Sequence, residues 1–203
     1  MQELVRELQV PHFRFFGDAY NMLHEIPLFE APMRVYDCHA GPYGCSVPTG
    51  LYTFPYCAKH LNENMGLRLG VSSIPEVASN IGCHYGLFAT RPFRSGDVIC
   101  QMLSECVSLD VINSRYGGTD AFTAPFGITD ENGRIYDGAL IRSPGCMANH
   151  ASASDLIGPN AVLVCDVWPT LVADHDIHEG AEITWDYGSD YDFNSAYYDV
   201  IYK

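Results

Sequence analysis

At 203 residues, 47% of them hydrophobic and 18% charged, the chain has the composition of one globular domain, or of one domain with a small attached module, rather than of a disordered segment. Its 11 basic residues against 25 acidic ones leave a net charge of −14, too few cations for a phosphate-binding footprint, so direct nucleic-acid binding is not expected. No apolar run approaches the roughly 20 residues needed to cross a bilayer, and Met1–Arg6 lacks the basic and apolar regions of a signal peptide, which predicts a soluble, intracellular protein with no membrane partner.

Leu4, Leu8 and Val10 predict a short amphipathic helix before Pro11, and Phe13, Phe15, Phe16, Tyr20, Met22 and Leu23 an aromatic packing face. From Ala31 to about Gly70 prolines, glycines, cysteines and tyrosines dominate without a sustained helical or strand period, the texture of a small module folded around a metal. Within it Cys38, Cys45, Cys57 and His60 supply four ligands. Zinc favours a tetrahedral set of thiolates and imidazole, and a closed set of three cysteines and one histidine is structural rather than catalytic. The alternative is three reduced thiols and a surface histidine; the shortage of regular structure around them favours zinc. His39 is a competing ligand, less comfortable beside Cys38. Residues 1–80 are therefore expected to form a helical segment and a zinc module, and residues 81–203 the main domain with an aromatic C-terminal extension.

After Gly82 the pattern turns to β. Strands are predicted at 85–89, 98–103, 161–167, 170–173 and 182–185, with turns at Arg94-Ser95-Gly96-Asp97 and His178-Glu179-Gly180 and an apolar continuation from Val107 to Ile112. Asp130-Glu131-Asn132-Gly133 predicts a hairpin, with Asn-Gly suited to the positive φ angles of a tight turn. Cysteines in apolar runs, such as Cys100 and Cys165, read as small buried hydrophobes.

Four segments in order, Tyr85-Gly86-Leu87-Phe88-Ala89, Gly145-Cys146-Met147-Ala148-Asn149-His150, Gly158-Pro159-Asn160-Ala161 and Glu182-Ile183-Thr184-Trp185-Asp186-Tyr187-Gly188, resemble the motifs of the SET domain. The resemblance runs from about Gly82 to Tyr191. It implies a mainly β protein with short helices, a β-clip whose C-terminal segment threads through a loop as a pseudoknot. It also implies an S-adenosylmethionine-dependent protein-lysine N-methyltransferase. In that pattern Tyr187 is the catalytic tyrosine, Phe122 and Trp185 line the lysine channel, and His84, Tyr85, Gly86, Asn149 and His150 hold the cofactor. His84 stands where the family has a glycine, Cys146, Ala148 and Ala151 replace larger or polar residues, and Trp185 replaces a phenylalanine or tyrosine. A tryptophan there is expected to constrict the channel and favour low-order methylation.

An acidic surface suits a basic, lysine-containing protein substrate. By resemblance that substrate is a histone tail and the location nuclear. The competing expectation is a catalytically weak or inactive SET-fold module that binds a basic peptide. No nucleophile–base triad or metalloprotease spacing supports another class of enzyme. No cysteine follows Cys165, so the aromatic run after Gly188 is expected to cover the site in place of a second metal cluster.

Overall fold

The computed structural model describes residues 37–38, 45–48, 55–75, 85–116, 127–138, 143–152, 155–166, 168–189 and 191. All of them belong to the compact unit Arg34–Lys203. The expected N-terminal helix and aromatic face, His84, Phe122 and the aromatic run beyond Tyr191 lie outside the described residues.

Strand β12 (Glu182–Trp185) organises the main sheet, because all four of its residues are buried. A strand whose side chains are covered on both faces must lie inside the fold. On one side it pairs antiparallel with β4 (Tyr85–Ala89) through Glu182↔Phe88 and Ile183↔Leu87. Further along it pairs parallel with the short β9 (Asn149–His150), Thr184 opposite Asn149 and Trp185 opposite His150. On the other side Trp185 meets Ala161 of β10 (Ala161–Cys165), again parallel. The connection from β9 to β10 therefore crosses β12, and the C-terminal segment is threaded beneath it.

The sheet extends outward from this centre. β3 (Leu67–Val71) pairs along its length with β4. β11 (Pro169–Ala173) pairs with β10 and then with β5 (Val98–Gln101), giving the order β3-β4-β12-β10-β11-β5. Leu67, Leu87, Leu171 and Ile183, all fully buried, form the middle of the core with Phe93, Ile99 and Ile177. Each such side chain contributes on the order of 1.5–3 kcal/mol through burial. A smaller sheet orders β6 (Glu105–Val107), β8 (Ile135–Asp137) and β7 (Gly127–Thr129) as β6-β8-β7.

Three local expectations need correction. The 31–70 region is not uniformly irregular: it ends in the helix Ala58–Met65 and β3. The helix closes on Gly66, whose φ of 68° and N–H bond to the Asn62 carbonyl form a left-handed cap. The apolar stretch 107–112 divides at Ser108 into β6 and the helix Leu109–Tyr116. In the hairpin between β7 and β8 only Gly133 has positive φ, 75°, with its N–H bonded to the Asp130 carbonyl. That is a longer turn in which glycine alone takes the left-handed position, not a two-residue Asn-Gly turn.

Candidate active site and metal centre

The metal cluster arises from a hairpin and a helix start. Cys38 and Cys45 face each other across β1 (Asp37–Cys38) and β2 (Cys45–Pro48), which explains their spacing. Cys57 stands at the N-cap of the helix Ala58–Met65, and His60 follows in its first turn. The Cys57 N–H points at Cys38 Sγ, 3.1 Å away. His60 Nδ1 lies 3.3 Å from both Cys38 Sγ and Cys57 Sγ. The four ligand atoms sit within 4.8 Å of one another. Thiolates bound at about 2.3 Å to a tetrahedral zinc are separated by roughly 3.8 Å, so the donor set fits that ion in type and spacing. The His60 backbone N–H, aided by Cys38, His60 and Cys45 side chains, lowers the Cys57 thiol to about 7 against the opposing effect of burial, the direction a metal-binding thiolate needs.

The same helix fastens this cluster to the main sheet. Leu61, next to His60, is fully buried in the central core, and Gly66 leads directly into β3. The residues read as a separate module thus share a sheet edge with β4.

At the crossing of β12, β9 and β4 the structure brings together Tyr85, Gly86, Asn149, His150, Trp185 and Tyr187. Asn149 Nδ2 donates to the Tyr85 carbonyl at 3.0 Å and to Glu182 Oε1 at 2.9 Å. A Cβ on Gly86 would lie 2.1 Å from Glu182 Oε1 and 3.2 Å from Asn149 Nδ2. Glycine at 86 is thus required to admit the Glu182 carboxylate itself. The Tyr187 hydroxyl donates to the Ala148 carbonyl at 2.9 Å, and the Tyr187 N–H donates to His150 Nδ1 at 3.1 Å. The Tyr187 ring centroid lies 4.7 Å from that of Trp185, 5.3 Å from His150 and 4.8 Å from Tyr191. Trp185 is buried, and its Nε1–H has no hydrogen-bond partner among the described residues.

The small residues that depart from the motif have a packing reason. Pro144–Met147 forms a buried 3-10 turn against β5. A Cβ on Gly145 would come within 3.0 Å of the Gln101 carbonyl and 2.8 Å of Met102 Cγ, and Cys146 and Ala148 join the central core.

Glu182 was part of a recognised motif but had no role assigned from sequence, and Ser72 and Ser73 carried no signal at all. In the fold Ser72 Oγ donates to Glu182 Oε1 at 2.8 Å, while the Ser73 N–H and hydroxyl both donate to Oε2. A serine pair at the end of a strand is too common to single out; only the pairing of β3 with β4 places it against β12.

A threaded β-clip with an aromatic cluster at the strand crossing defines the class of the protein. Residues 84–188 match the SET domain family, and the chain belongs to that family, whose members are in general protein-lysine methyltransferases. Among solved structures it is similar to a chain of the Chaetomium thermophilum polycomb repressive complex 2, with a TM-score of 0.51 and 22% identity over 63% of this chain. A chain of an active polycomb repressive complex 2 in the stimulated state is similar to the same degree, with a TM-score of 0.50 and 22% identity over 64% of this chain. The match spans only 16% of either of those chains, and the likeness is one of fold. No curated protein sequence matches the chain.

Proposed function

We propose that the chain is an S-adenosylmethionine-dependent histone-lysine N-methyltransferase acting in the nucleus, with residues 1–80 carrying a structural zinc module and residues 81–203 the catalytic domain. The observation that carries this reading is the placement of Tyr187 beside Trp185 and His150, with its hydroxyl hydrogen committed to the Ala148 carbonyl. As the donor of that bond, the phenol meets an incoming amine through its oxygen lone pairs. It can therefore orient a neutral lysine without protonating it.

Tyr85, Gly86, Asn149 and His150, with His84, are the residues proposed to hold the cofactor. The fit is one of chemistry: the Tyr85 carbonyl lies beside Asn149, whose Oδ1 has no partner among the described residues. Such an acceptor pair suits an amino-acid head group. When bound, S-adenosylmethionine supplies the activated methyl group. Trp185 and Phe122 would narrow the lysine channel, and Cys38, Cys45, Cys57 and His60 would hold zinc away from the reaction. The charge of −14 favours encounter with a basic histone tail.

The test is incubation of the full chain with labelled cofactor and a panel of histones. Wild-type protein is expected to label a histone lysine, and Tyr187→Phe to label it about a hundredfold more slowly. Equal rates would remove the role given to Tyr187. Cofactor and peptide binding without turnover by the wild type would identify a peptide-binding module instead.

A further inference from the structure

Glu182 is a buried carboxylate at the end of β12 nearest β4. Its described partners are all neutral donors: the Ser72 hydroxyl, the Ser73 N–H and hydroxyl, and the Asn149 amide. No described lysine, arginine or histidine pairs with it. Burying a carboxylate without a counter-charge is costly, and hydrogen bonds offset that cost only in part. The arrangement has two consequences for Asn149. Its side-chain N–H₂ donates to Glu182 Oε1 at 2.9 Å and to the Tyr85 carbonyl at 3.0 Å, neither of which can donate in return, and lies 3.3 Å from Ser72 Oγ, whose own hydrogen is given to Glu182 Oε1. The amide can therefore sit only one way round, with Oδ1 turned from the carboxylate. Polarised through this bond, Oδ1 becomes a stronger acceptor, and a carboxylate with no counter-charge among the described residues lies immediately behind it.

We infer that Glu182 is a positioning residue that fixes the orientation of Asn149 and makes the site selective for a cofactor head bearing a free α-ammonium group. The inference rests on the methyltransferase reading and extends it. The preference for the cation comes from a side chain that does not touch the ligand, relayed through an asparagine that does. Ser72 and Ser73, at the end of β3, hold the carboxylate in place so that it cannot swing out to solvent. Glutamine at 182 is nearly the same shape but removes the charge. It also presents an N–H₂ to donors, which invites Asn149 to turn over.

The experiment is calorimetric titration of the full chain with S-adenosylhomocysteine and with its deaminated analogue. Wild-type protein is expected to favour the ammonium-bearing ligand by roughly ten- to a hundredfold, the range supported by a hydrogen bond to a charged group. In Glu182→Gln that ratio is expected to fall close to one, while Ser73→Ala, which keeps the charge, retains most of it. A wild-type ratio in Glu182→Gln, or equal collapse in Ser73→Ala, overturns the inference and leaves the methyltransferase reading standing. If Glu182→Gln does not fold, the wild-type ratio decides alone: equal affinity for the two ligands excludes selection of the ammonium. Wild-type protein that binds neither ligand overturns both readings.

Discussion

The side-chain amide of Asn160 pairs with β12 as a further strand would, donating to the Glu182 carbonyl at 2.7 Å and accepting from the Thr184 N–H at 3.0 Å. The Asn160 backbone N–H also donates to the Thr184 carbonyl, and the Thr184 hydroxyl donates to the Gly158 carbonyl. This residue thus closes the crossing loop over the threaded strand. Glu182 and Thr184, whose backbone groups it serves, are both buried.

Asn160→Ala strands a donor and an acceptor in the core, each at a cost of about 1–3 kcal/mol. A total loss of roughly 2–5 kcal/mol is expected in urea unfolding. Asn160→Asp keeps an acceptor for Thr184 but turns a carboxylate oxygen toward the Glu182 carbonyl, so it should not rescue the alanine variant. Wild-type stability in either variant would show that water replaces the side chain without penalty.

Trp185 sets the second expectation. Its indole is buried against Tyr187 and its Nε1–H has no described partner, so replacing it by phenylalanine removes volume and an unsatisfied donor together. The loss of packing should be largely offset, with a stability change under about 1.5 kcal/mol. If the ring restricts the lysine channel, mass spectrometry of a methylated peptide should show mainly monomethyl product for wild type and a shift toward di- and trimethyl product for Trp185→Phe. Efficient trimethylation by the wild type would remove the constriction.

Why some features were readable in the sequence and others were not follows from how far apart their causes lie in the chain. β4 and β12 match the predicted ranges, because each is a short apolar run bounded by turns. The Cys38, Cys45, Cys57 and His60 cluster was legible because metal ligation restricts residue type and spacing. The helix Ala58–Met65 was hidden because its apolar stripe is short, Ala58, Leu61 and Met65 over two turns, with Leu61 alone fully buried and Met65 packed at the edge of the core. Gly86 reads as a cofactor-binding residue by resemblance; its close contact with Glu182, 96 positions further on, has no local signal. No local pattern could give that contact or the convergence of Ser72 and Ser73 on the same carboxylate.

Coupling between the metal cluster and the sheet leads to a third prediction. His60 and Leu61 are neighbours in one helix turn, and the helix runs through Gly66 into β3. Native mass spectrometry should find one zinc ion per chain, lost in Cys57→Ser. Chelation should raise amide hydrogen exchange first in the helix and in Leu67–Val71, while β10 and β11, paired at five positions far from the cluster, stay protected. Uniform loss of protection would mean that the ion supports the whole fold; unchanged exchange would mean that it supports neither.

Asp130 gives the protein an acid-sensitive hairpin. Its Oδ1 accepts from the Asn132 and Arg134 N–H groups at 2.9 and 2.8 Å, and its Oδ2 from the Arg134 guanidinium, which also donates to the Asp166 carbonyl. Burial would raise the carboxyl, but these bonds and the guanidinium charge outweigh it and lower Asp130 below the usual carboxylate range. A group depressed in the folded state stabilises the protein fully above its unfolded value of about 3.9 and progressively less as pH falls below that value. The melting temperature should therefore fall more steeply between pH 5 and pH 3 in wild type than in Asp130→Asn, which starts lower at neutral pH and has no such proton to take up (both pH limits being approximate, set by that unfolded value). Parallel curves for the two proteins would show that the hairpin carboxylate does not contribute to acid unfolding.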